Sequence, residues 1–543
     1  MAEAEPVQHR IQRRGRLPEP PSDPTAPDGR EFSFAARLGW LLRTWRLHAG
    51  HHYGFRFAAE LTALGVPAEA SQVSRWESGR RVPPLRVVVA YERLTGAPEG
   101  VIQASSLGGA RLPGARPAPG LADVAFDAND VAALLDDALS GAATAGQWLR
   151  LATQIAAAPE RVTMPRRAWP QLTATLMEEV GRSIGAAWAP RYEAAVLIAR
   201  HPHGRAALLD SVVELASQRD SPNAVDHISV LKDLPDPDVR GLVLTLLEEG
   251  DGAVFEGALA AAGALLVRGD LDAAELRRLE DRLLRVVAVR GPDAGGIFVQ
   301  VKDLVANLPP ASLHRVSRRM PALTQLVPPP TAGPRPGGVT AGASPKTVAR
   351  SPRLVADLVD DLGEDLGNLG GLVGDSPTGH LDDPLLTRLV GEILHHTDSE
   401  RRVQNNITLL ASPIREPLTR RAVALLTRAD QPLSRTDRSR ILSLVTFTTT
   451  GAQDHALAEL VRHGGPGAEL ALVALAHSPA PRHEIDPLVL LEAPAWAGHT
   501  RRVVYYAGMT GHPHLALMAA DPRWSDEVRG TSGWWLRAGP AIR

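Results

Sequence analysis

The residues best suited to specific chemistry lie in the stretch ASQVSRWESGRRVPP, which begins at Ala70. On a helix beginning near Glu69, Ser71 and Arg75 share one outward face, and Gln72 flanks it. Glutamine can pair bidentately with adenine and arginine with guanine O6 and N7, each pair contributing about 1 to 3 kcal/mol of base discrimination. We therefore predict that Ser71, Gln72 and Arg75 read base edges in the major groove of double-stranded DNA.

Arginines on either side of this helix are predicted to contact phosphates instead of bases. Such contacts fix the position of a protein on DNA without reading its sequence. The predicted phosphate contacts are Arg43, Arg46, Arg80, Arg81 and Arg86. For the last three, which follow the helix, a solvated basic loop remains the alternative interpretation.

Three further residues are predicted to shape the motif without touching DNA. Gly79 would end the helix in a left-handed conformation that other residues adopt poorly. Pro83 would stop a new helix from starting too early. Glu77 carries a carboxylate that DNA phosphates would repel, so a structural role is expected for it.

The order of these residues resembles the XRE, or lambda-repressor-like, family of helix-turn-helix domains. In that family the third helix begins just before a Ser/Gln pair, ends in a Glu-x-Gly turn, and is followed by a basic residue, a proline and a fourth core helix. The matching residues are Ser74, Arg75, Glu77, Gly79, Arg80 and Pro83, within a match of about 70 of the 543 residues. The resemblance implies a DNA-binding domain in which Glu77 bonds inside the domain. The sequence departs from the family where His51-His52-Tyr53-Gly54 replaces the usual Leu-Ser/Thr-Gln opening of the second helix.

Apolar residues at helical spacing define the elements that must hold this motif. The first predicted helix turns Arg37, Arg43 and Arg46 away from an apolar stripe. The members of this stripe are Leu38, Leu41 or Leu42, and Trp45. A second helix is predicted from Phe55 to Leu64.

The composition predicts an all-α fold, because only 4% of residues are aromatic while Ala, Leu, Val and Arg are abundant. The predicted organisation is a disordered arm at 1–30, a helix-turn-helix domain at 31–104, a linker at 105–121, a helical domain at 122–326, a Pro/Gly-rich linker at 327–352, and a second helical domain at 353–543. Helical hairpins recurring about every 35 to 45 residues favour either a HEAT or armadillo-like repeat region or an irregular helical domain.

Several classes of function are excluded or disfavoured. The chain has no cysteine, and no run of about 18 apolar residues predicts a membrane span. His48, His51 and His52 have helical spacing, but no nearby carboxylate completes a metal site. No enzyme motif is found, so we expect no catalytic residues, no metal and no cofactor. The predicted location is the cytoplasm, in association with the nucleoid.

The sequence thus predicts a sequence-specific transcriptional regulator. Between Phe32 and Ile102 nine arginines face six acidic residues, counting Glu31 at the edge. This small excess predicts weak binding by one domain and therefore a homodimer or a second DNA-binding site. The helical region would bind a protein or small-molecule effector. The alternative is a DNA-tethered interaction scaffold, for example in defence, conjugation or chromosome organisation.

Overall fold

The computed structural model describes the residues 21–27, 29, 31–115, 120–121, 124–218, 221–234, 236–290, 295–319, 351–359, 362, 383–428 and 433–543. Within these ranges the protein is all-α, as predicted: it has 27 α-helices and no strand. One isolated β-bridge joins Ser183 to Ile542.

Five helices form the N-terminal part of the structure, which we call the head. They are α1 (Phe34–His48), α2 (Gly54–Ala63), α3 (Ala70–Glu77), α4 (Leu85–Thr95) and α5 (Val101–Gly109). Glycines in the left-handed region end or precede several of them, including Gly96 (φ 72°) after α4 and Gly100 (φ 82°) before α5.

The remaining helices form the body. Its first half contains α6 (Ala128–Leu139), α7 (Ala145–Ala157), α8 (Ala168–Arg182), α9 (Trp188–Ile198), α10 (Pro202–Ser217), α11 (Ala224–Ser229), α12 (Pro237–Glu249), α13 (Gly252–Arg268), α14 (Ala273–Arg290), α15 (Gly295–Ala306) and α16 (Pro310–Arg319). Its second half contains α17 (Ser351–Val359), α18 (Pro384–His395), α19 (Ser399–Leu410), α20 (Arg415–Thr427), α21 (Arg435–Thr448), α22 (Asp454–His463), α23 (Ala468–Ala476), α24 (Pro487–Glu492), α25 (Thr500–Thr510), α26 (Leu515–Ala520) and α27 (Asp526–Ala538). Most packed pairs are helices one or two positions apart along the chain.

Two hydrophobic cores organise these helices. One is built mainly from the first half of the body. The other joins the head to the second half, so that Phe57 of α2 and Tyr91 of α4 belong to the same core as Leu389 of α18. The head is therefore packed onto the second half of the body, although the first half separates the two in sequence. The C-terminal segment returns to the first half, where Ile542 N–H donates to Arg182 O at 2.8 Å.

The predicted linker at 105–121 is wrong at its start. Helix α5 continues to Gly109, and all of its residues are buried. Gln404 Nε2 donates to Ser105 O at 2.9 Å, and a Cβ on Gly108 would lie 2.7 Å from Gln404 Oε1. The glycines that suggested flexibility instead allow α5 to approach α19 closely.

The predicted disordered arm is also wrong in the part that the structure describes. Asp23 is fully buried and forms ion pairs with Arg37 and with Arg388 (3.4 Å for the latter). Arg388 Nη2 also donates to Thr25 Oγ1 at 2.7 Å. Residues 1–20, with the basic run from His9 to Arg16, lie outside the described residues, as does the predicted linker at 327–352 except for 351 and 352, which begin α17.

Candidate nucleic-acid interface

Helix α3 packs on α1 and α2 with one face and leaves the other face in solvent. Its amphipathic sequence explains this orientation, because Val73 and Trp76 are buried while Ser71, Ser74 and Arg75 are exposed. Two of the three predicted base-reading residues, Ser71 and Arg75, therefore lie on the solvent face.

The side chains on this face form a short hydrogen-bonded chain. Arg75 donates from Nε to Ser71 O at 3.1 Å and from Nη2 to Ser71 Oγ at 3.2 Å. Ser71 Oγ in turn donates to Glu69 Oε2 at 3.2 Å. The guanidinium thus lies along the helix surface. To reach a base, it would have to break its hydrogen bonds to Ser71 and rotate outward.

Gln72 occupies a different position from the one predicted. It is half-buried, and its Oε1 accepts the backbone N–H of Glu69 at 2.8 Å, which caps the first turn of α3. A bidentate contact with adenine needs both ends of the amide, so Gln72 would have to give up this cap.

Arg46 is the clearest correction to the predicted phosphate contacts. Its guanidinium makes a two-pronged ion pair with Glu77, with Nε to Oε1 at 2.6 Å and Nη2 to Oε2 at 2.7 Å. Tyr91 Oη donates to the same carboxylate at 3.1 Å. Arg46 and Glu77 are each 1% exposed, so Arg46 cannot contact a phosphate. Glu77 lies inside the domain, as the resemblance implied, and it fixes the end of α3 against α1 and α4.

Arg43 is also turned away from the exposed face of α3. It is half-buried, and burial lowers the pKa of its guanidinium against the opposing charges of Asp383 and Glu77. Trp40, one turn earlier on α1, donates from Nε1 to Asp383 Oδ2 at 2.7 Å. This side of α1 therefore faces the body, and the prediction of a phosphate contact at Arg43 is not supported.

Two glycines bring α1 against the end of α3. Gly79 has φ 70°, and a Cβ there would lie 2.7 Å from Ala36 Cα. A Cβ on Gly39 would lie 2.5 Å from Trp76 O and 2.9 Å from Glu77 O. The sequence predicted the left-handed turn at Gly79 but missed Gly39, whose signal was a glycine inside a helical apolar stripe.

The turn after α3 carries the remaining predicted phosphate contacts on its surface. Arg80, Arg81 and Arg86 are all exposed, and Pro83 is buried. The backbone N–H of Arg81 donates to Arg75 O at 3.1 Å, which folds the turn back onto the helix end.

The start of α2, where the sequence departs from the family and where His52 or Tyr53 is the expected substitute for a phosphate contact, carries an exposed aromatic and basic group. Tyr53 and Phe55 are 44% and 61% exposed. The Arg56 guanidinium lies 5.2 Å from the Tyr53 ring centre and 5.8 Å from that of Phe55. The Arg56 guanidinium and the Tyr53 hydroxyl are groups that can contact a sugar-phosphate backbone.

Burial changes which charges of the head face solvent without increasing their positive excess. The exposed arginines of the helical head are Arg56, Arg75, Arg80, Arg81, Arg86 and Arg93. Glu77 and Glu92 are buried, which leaves the exposed acids Glu31, Glu69 and Glu99 with the half-buried Glu60. Burial removes Arg37 and Arg46 from the surface, so the net excess of positive charge remains small.

The head is held to the body by a buried polar cluster on the other side of α1. Arg37 donates from Nη2 to Glu392 Oε2 at 2.7 Å, and Asn405 Nδ2 donates to the same oxygen at 2.8 Å. Arg401 adds contacts at 2.9 and 2.6 Å. Burial alone would raise the pKa of Glu392, but hydrogen bonds and charge from Arg401 and Arg37 outweigh it and hold the pKa well below its usual range.

Within the described residues no helix is both long enough and apolar enough to span a membrane, and no group of three or more histidine, aspartate or glutamate side chains is arranged to bind a metal. Comparisons of the chain with protein-family models, with curated proteins and with solved structures found no match.

Proposed function

We propose that the chain is a sequence-specific, DNA-binding transcriptional regulator of the cytoplasm, with a helix-turn-helix head of the XRE type. The observation that carries the proposal is the placement of α3. Its polar face, with Ser71 and Arg75, points to solvent, while the body docks on α1 and α5 instead. A recognition helix must be free in this way to enter a major groove.

The surroundings of α3 support the same function. Exposed arginines lie on α2, on the turn after α3 and at the start of α4. They can anchor the protein to phosphates while Ser71 and Arg75 approach the bases. The small net charge predicts weak binding by one head, so we propose that two copies bind two half-sites about 10 base pairs apart.

The test is a selection of bound fragments from random DNA by the full chain and by three variants. Arg75→Ala should relax the preference at one base position by about tenfold, since one arginine-guanine pair contributes about 1 to 3 kcal/mol. Arg81→Ala should weaken binding to all DNA sequences alike. It should also reduce, by about one, the slope of the logarithm of the binding constant against the logarithm of the salt concentration. Arg435→Ala, an exposed arginine on α21, controls for net charge and should change neither.

An enriched motif that depends on Arg75 would support the regulator. If the wild-type protein enriches no recurrent motif, the proposal of a sequence-specific regulator is contradicted. DNA binding that is weakened by Arg81→Ala but shows no base preference would favour the scaffold, in which the head only tethers the body. The scaffold draws support from three exposed apolar side chains, each available to a protein partner: Val489 on α24, Leu517 on α26 and Leu536 on α27.

A further inference from the structure

A cleft of about 240 Å³, partly open to solvent, lies between the two halves of the body. Helices α13 and α15 form one side, and α18, α19 and α21 form the other. This volume is slightly below the range of about 300 to 1,000 Å³ that is usual for small-molecule sites, so the cleft suits only a small ligand. The apolar part of its lining consists of Leu259, Ala260, Val267, Leu304, Ile393 and Val403.

Two polar groups in the cleft have no partner among the residues that the structure describes. Asn406 is 2% exposed, and its Oδ1 accepts no hydrogen bond. Arg440 Nε is likewise buried and donates to no acceptor. Buried polar atoms are nearly always satisfied, because leaving one unpaired costs free energy. An acceptor and a donor left open in one cleft point to a ligand that supplies the complementary groups.

The charges in the cleft favour an anionic ligand. Asp303 pairs with Arg402 at 2.6 Å and with Arg440 at 3.4 Å, so one carboxylate serves two guanidinium groups. The Glu400 carboxylate does not offset the positive charge of the two guanidinium groups, because it pairs with Lys232 at 2.6 Å.

Arg440 donates from Nη1 to Leu394 O and from Nη2 to Asp303, so its Nε is the one donor of this side chain that burial leaves without an acceptor among the described residues. Arg402 is further engaged by the carbonyl oxygens of His396 and Thr397 at 2.6 and 3.1 Å. Burial lowers the pKa of Arg440 and the charge of Arg402 lowers it further, whereas the charges of Asp303 and Asp437 only partly oppose this. A second anion beside Arg440 would relieve that penalty.

We propose that this cleft binds a small organic carboxylate that has an apolar portion. Its carboxylate lies at Arg440, a hydroxyl or amide N–H donates to Asn406 Oδ1, and the apolar portion lies along Leu259 and Leu304. The pocket combines a few convergent polar groups with an apolar wall, which is the usual composition of a site for an amphipathic molecule.

Helix α19 connects this cleft to the head. Its residues facing the head are Arg401, Gln404, Asn405 and Thr408, and its residues facing the cleft are Ser399, Arg402, Val403 and Asn406. The two sets alternate because they lie on opposite faces of one helix. Since interiors are close-packed, a ligand that moves α19 also moves the surface on which α1 and α5 rest. This regulatory step rests on the proposed function, whereas binding in the cleft does not.

Binding is measured by titration calorimetry on the full chain without DNA. The probes are straight-chain 2-hydroxycarboxylates of four to ten carbons, whose hydroxyl can donate to Asn406 Oδ1, and the hydroxylated primary amines of the same lengths. We expect at least one carboxylate to bind, and the matching amine to bind at least tenfold more weakly. If no carboxylate binds, or if the amines bind equally well, the proposal is overturned.

The variant Asn406→Leu separates a ligand-binding role from a structural one. If the open Oδ1 serves a ligand, this variant should bind the best carboxylate at least tenfold more weakly and, without ligand, should melt about 2 °C higher, because a buried unpaired acceptor has been removed. Arg440→Met should also lose binding, and Arg435→Met, on the same helix, should retain it. A lower melting temperature for Asn406→Leu with unchanged binding would assign Asn406 to the fold and overturn the proposal.

Hydrogen exchange tests the connection to the head, again without DNA. Saturation with the best carboxylate should change the hydrogen-exchange rates of α19 and α5 amides in the wild type. The same amides in Asn406→Leu should exchange at unchanged rates. Unchanged α5 exchange in the liganded wild type would overturn the connection. Because neither measurement uses DNA, the cleft and the regulator can fail independently.

Discussion

Arg37 and Glu392 are 355 residues apart in sequence, and their buried side chains meet at 2.7 Å between Nη2 and Oε2. Glu392 also pairs with Arg388 and Arg401, and Asp23 pairs with Arg37 and Arg388, so Glu392 is the carboxylate shared by all three guanidinium groups. We predict that Glu392→Gln lowers the free energy of unfolding by about 3 to 5 kcal/mol, because it leaves the buried Arg401 without a carboxylate and leaves Asp23 alone to balance Arg37 and Arg388. Urea denaturation followed by circular dichroism measures the change.

The control for this prediction is Glu416→Gln on α20. Glu416 makes an i,i+4 pair with Arg420 at 3.4 Å, and both side chains are about half exposed. Exposed pairs of this type contribute little, so the loss should stay below about 0.5 kcal/mol. Equal losses for the two variants would refute the special role of Glu392.

Gly39→Ala should disturb the junction of α1 and α3. The added Cβ would lie 2.5 Å from Trp76 O, a backbone atom that cannot move without shifting the end of α3. We expect a loss of about 1 to 3 kcal/mol in the free energy of unfolding. Gly241→Ala, inside α12 with open space around the added Cβ, should instead be neutral or stabilising by up to about 1 kcal/mol.

Arg46 and Arg86 should behave differently although both were predicted to contact phosphates. Arg46→Ala leaves the buried Glu77 carboxylate without its cation, so we expect a loss of about 3 to 5 kcal/mol in stability. Arg86→Ala removes an exposed side chain and should change stability by less than about 0.5 kcal/mol. Thermal melting in the absence of DNA compares them, and an unchanged melting temperature for Arg46→Ala would disprove the buried pair.

Acidification should destabilise the protein through His396. Its Nδ1 accepts the Asp398 N–H at 3.0 Å, its Nε2 lies 3.3 Å from Gly29 O, and burial followed by the charge of Arg401 lowers its pKa to about 4. Below pH 6.5 His396 binds a proton in the unfolded chain but stays neutral in the folded state. The free energy of unfolding therefore falls as the pH drops from 6.5 towards 4. Between pH 7 and pH 5 this group should cost about 1 to 2 kcal/mol.

The variant His396→Asn keeps an acceptor for the Asp398 N–H but does not titrate. Its loss of stability between pH 7 and pH 5, measured by urea denaturation, should be smaller than that of the wild type by the same amount. His455→Asn, a control at a largely exposed histidine, should keep the wild-type pH dependence. If the stability of His396→Asn also keeps the wild-type dependence on pH, the prediction fails.

Local sequence was sufficient to determine the helices and the turn after α3. Val73 and Trp76 at helical spacing oriented α3, Gly79 supplied the left-handed turn, and these signals depend only on residues a few positions apart. The all-α prediction succeeded for the same reason, and so did the exposure of Arg75.

Tertiary structure alone decided which arginines face solvent and where the head ends. Arg37 and Arg46 look like surface residues in sequence, yet each is buried because a distant carboxylate, Glu392 or Glu77, neutralises it. Likewise Gly108 and Gly109 read locally as a flexible joint, whereas α19 turns them into a packing surface. The residues next to an arginine or a glycine in sequence do not indicate which distant residue it will contact. The burial of these residues therefore followed only from the tertiary structure.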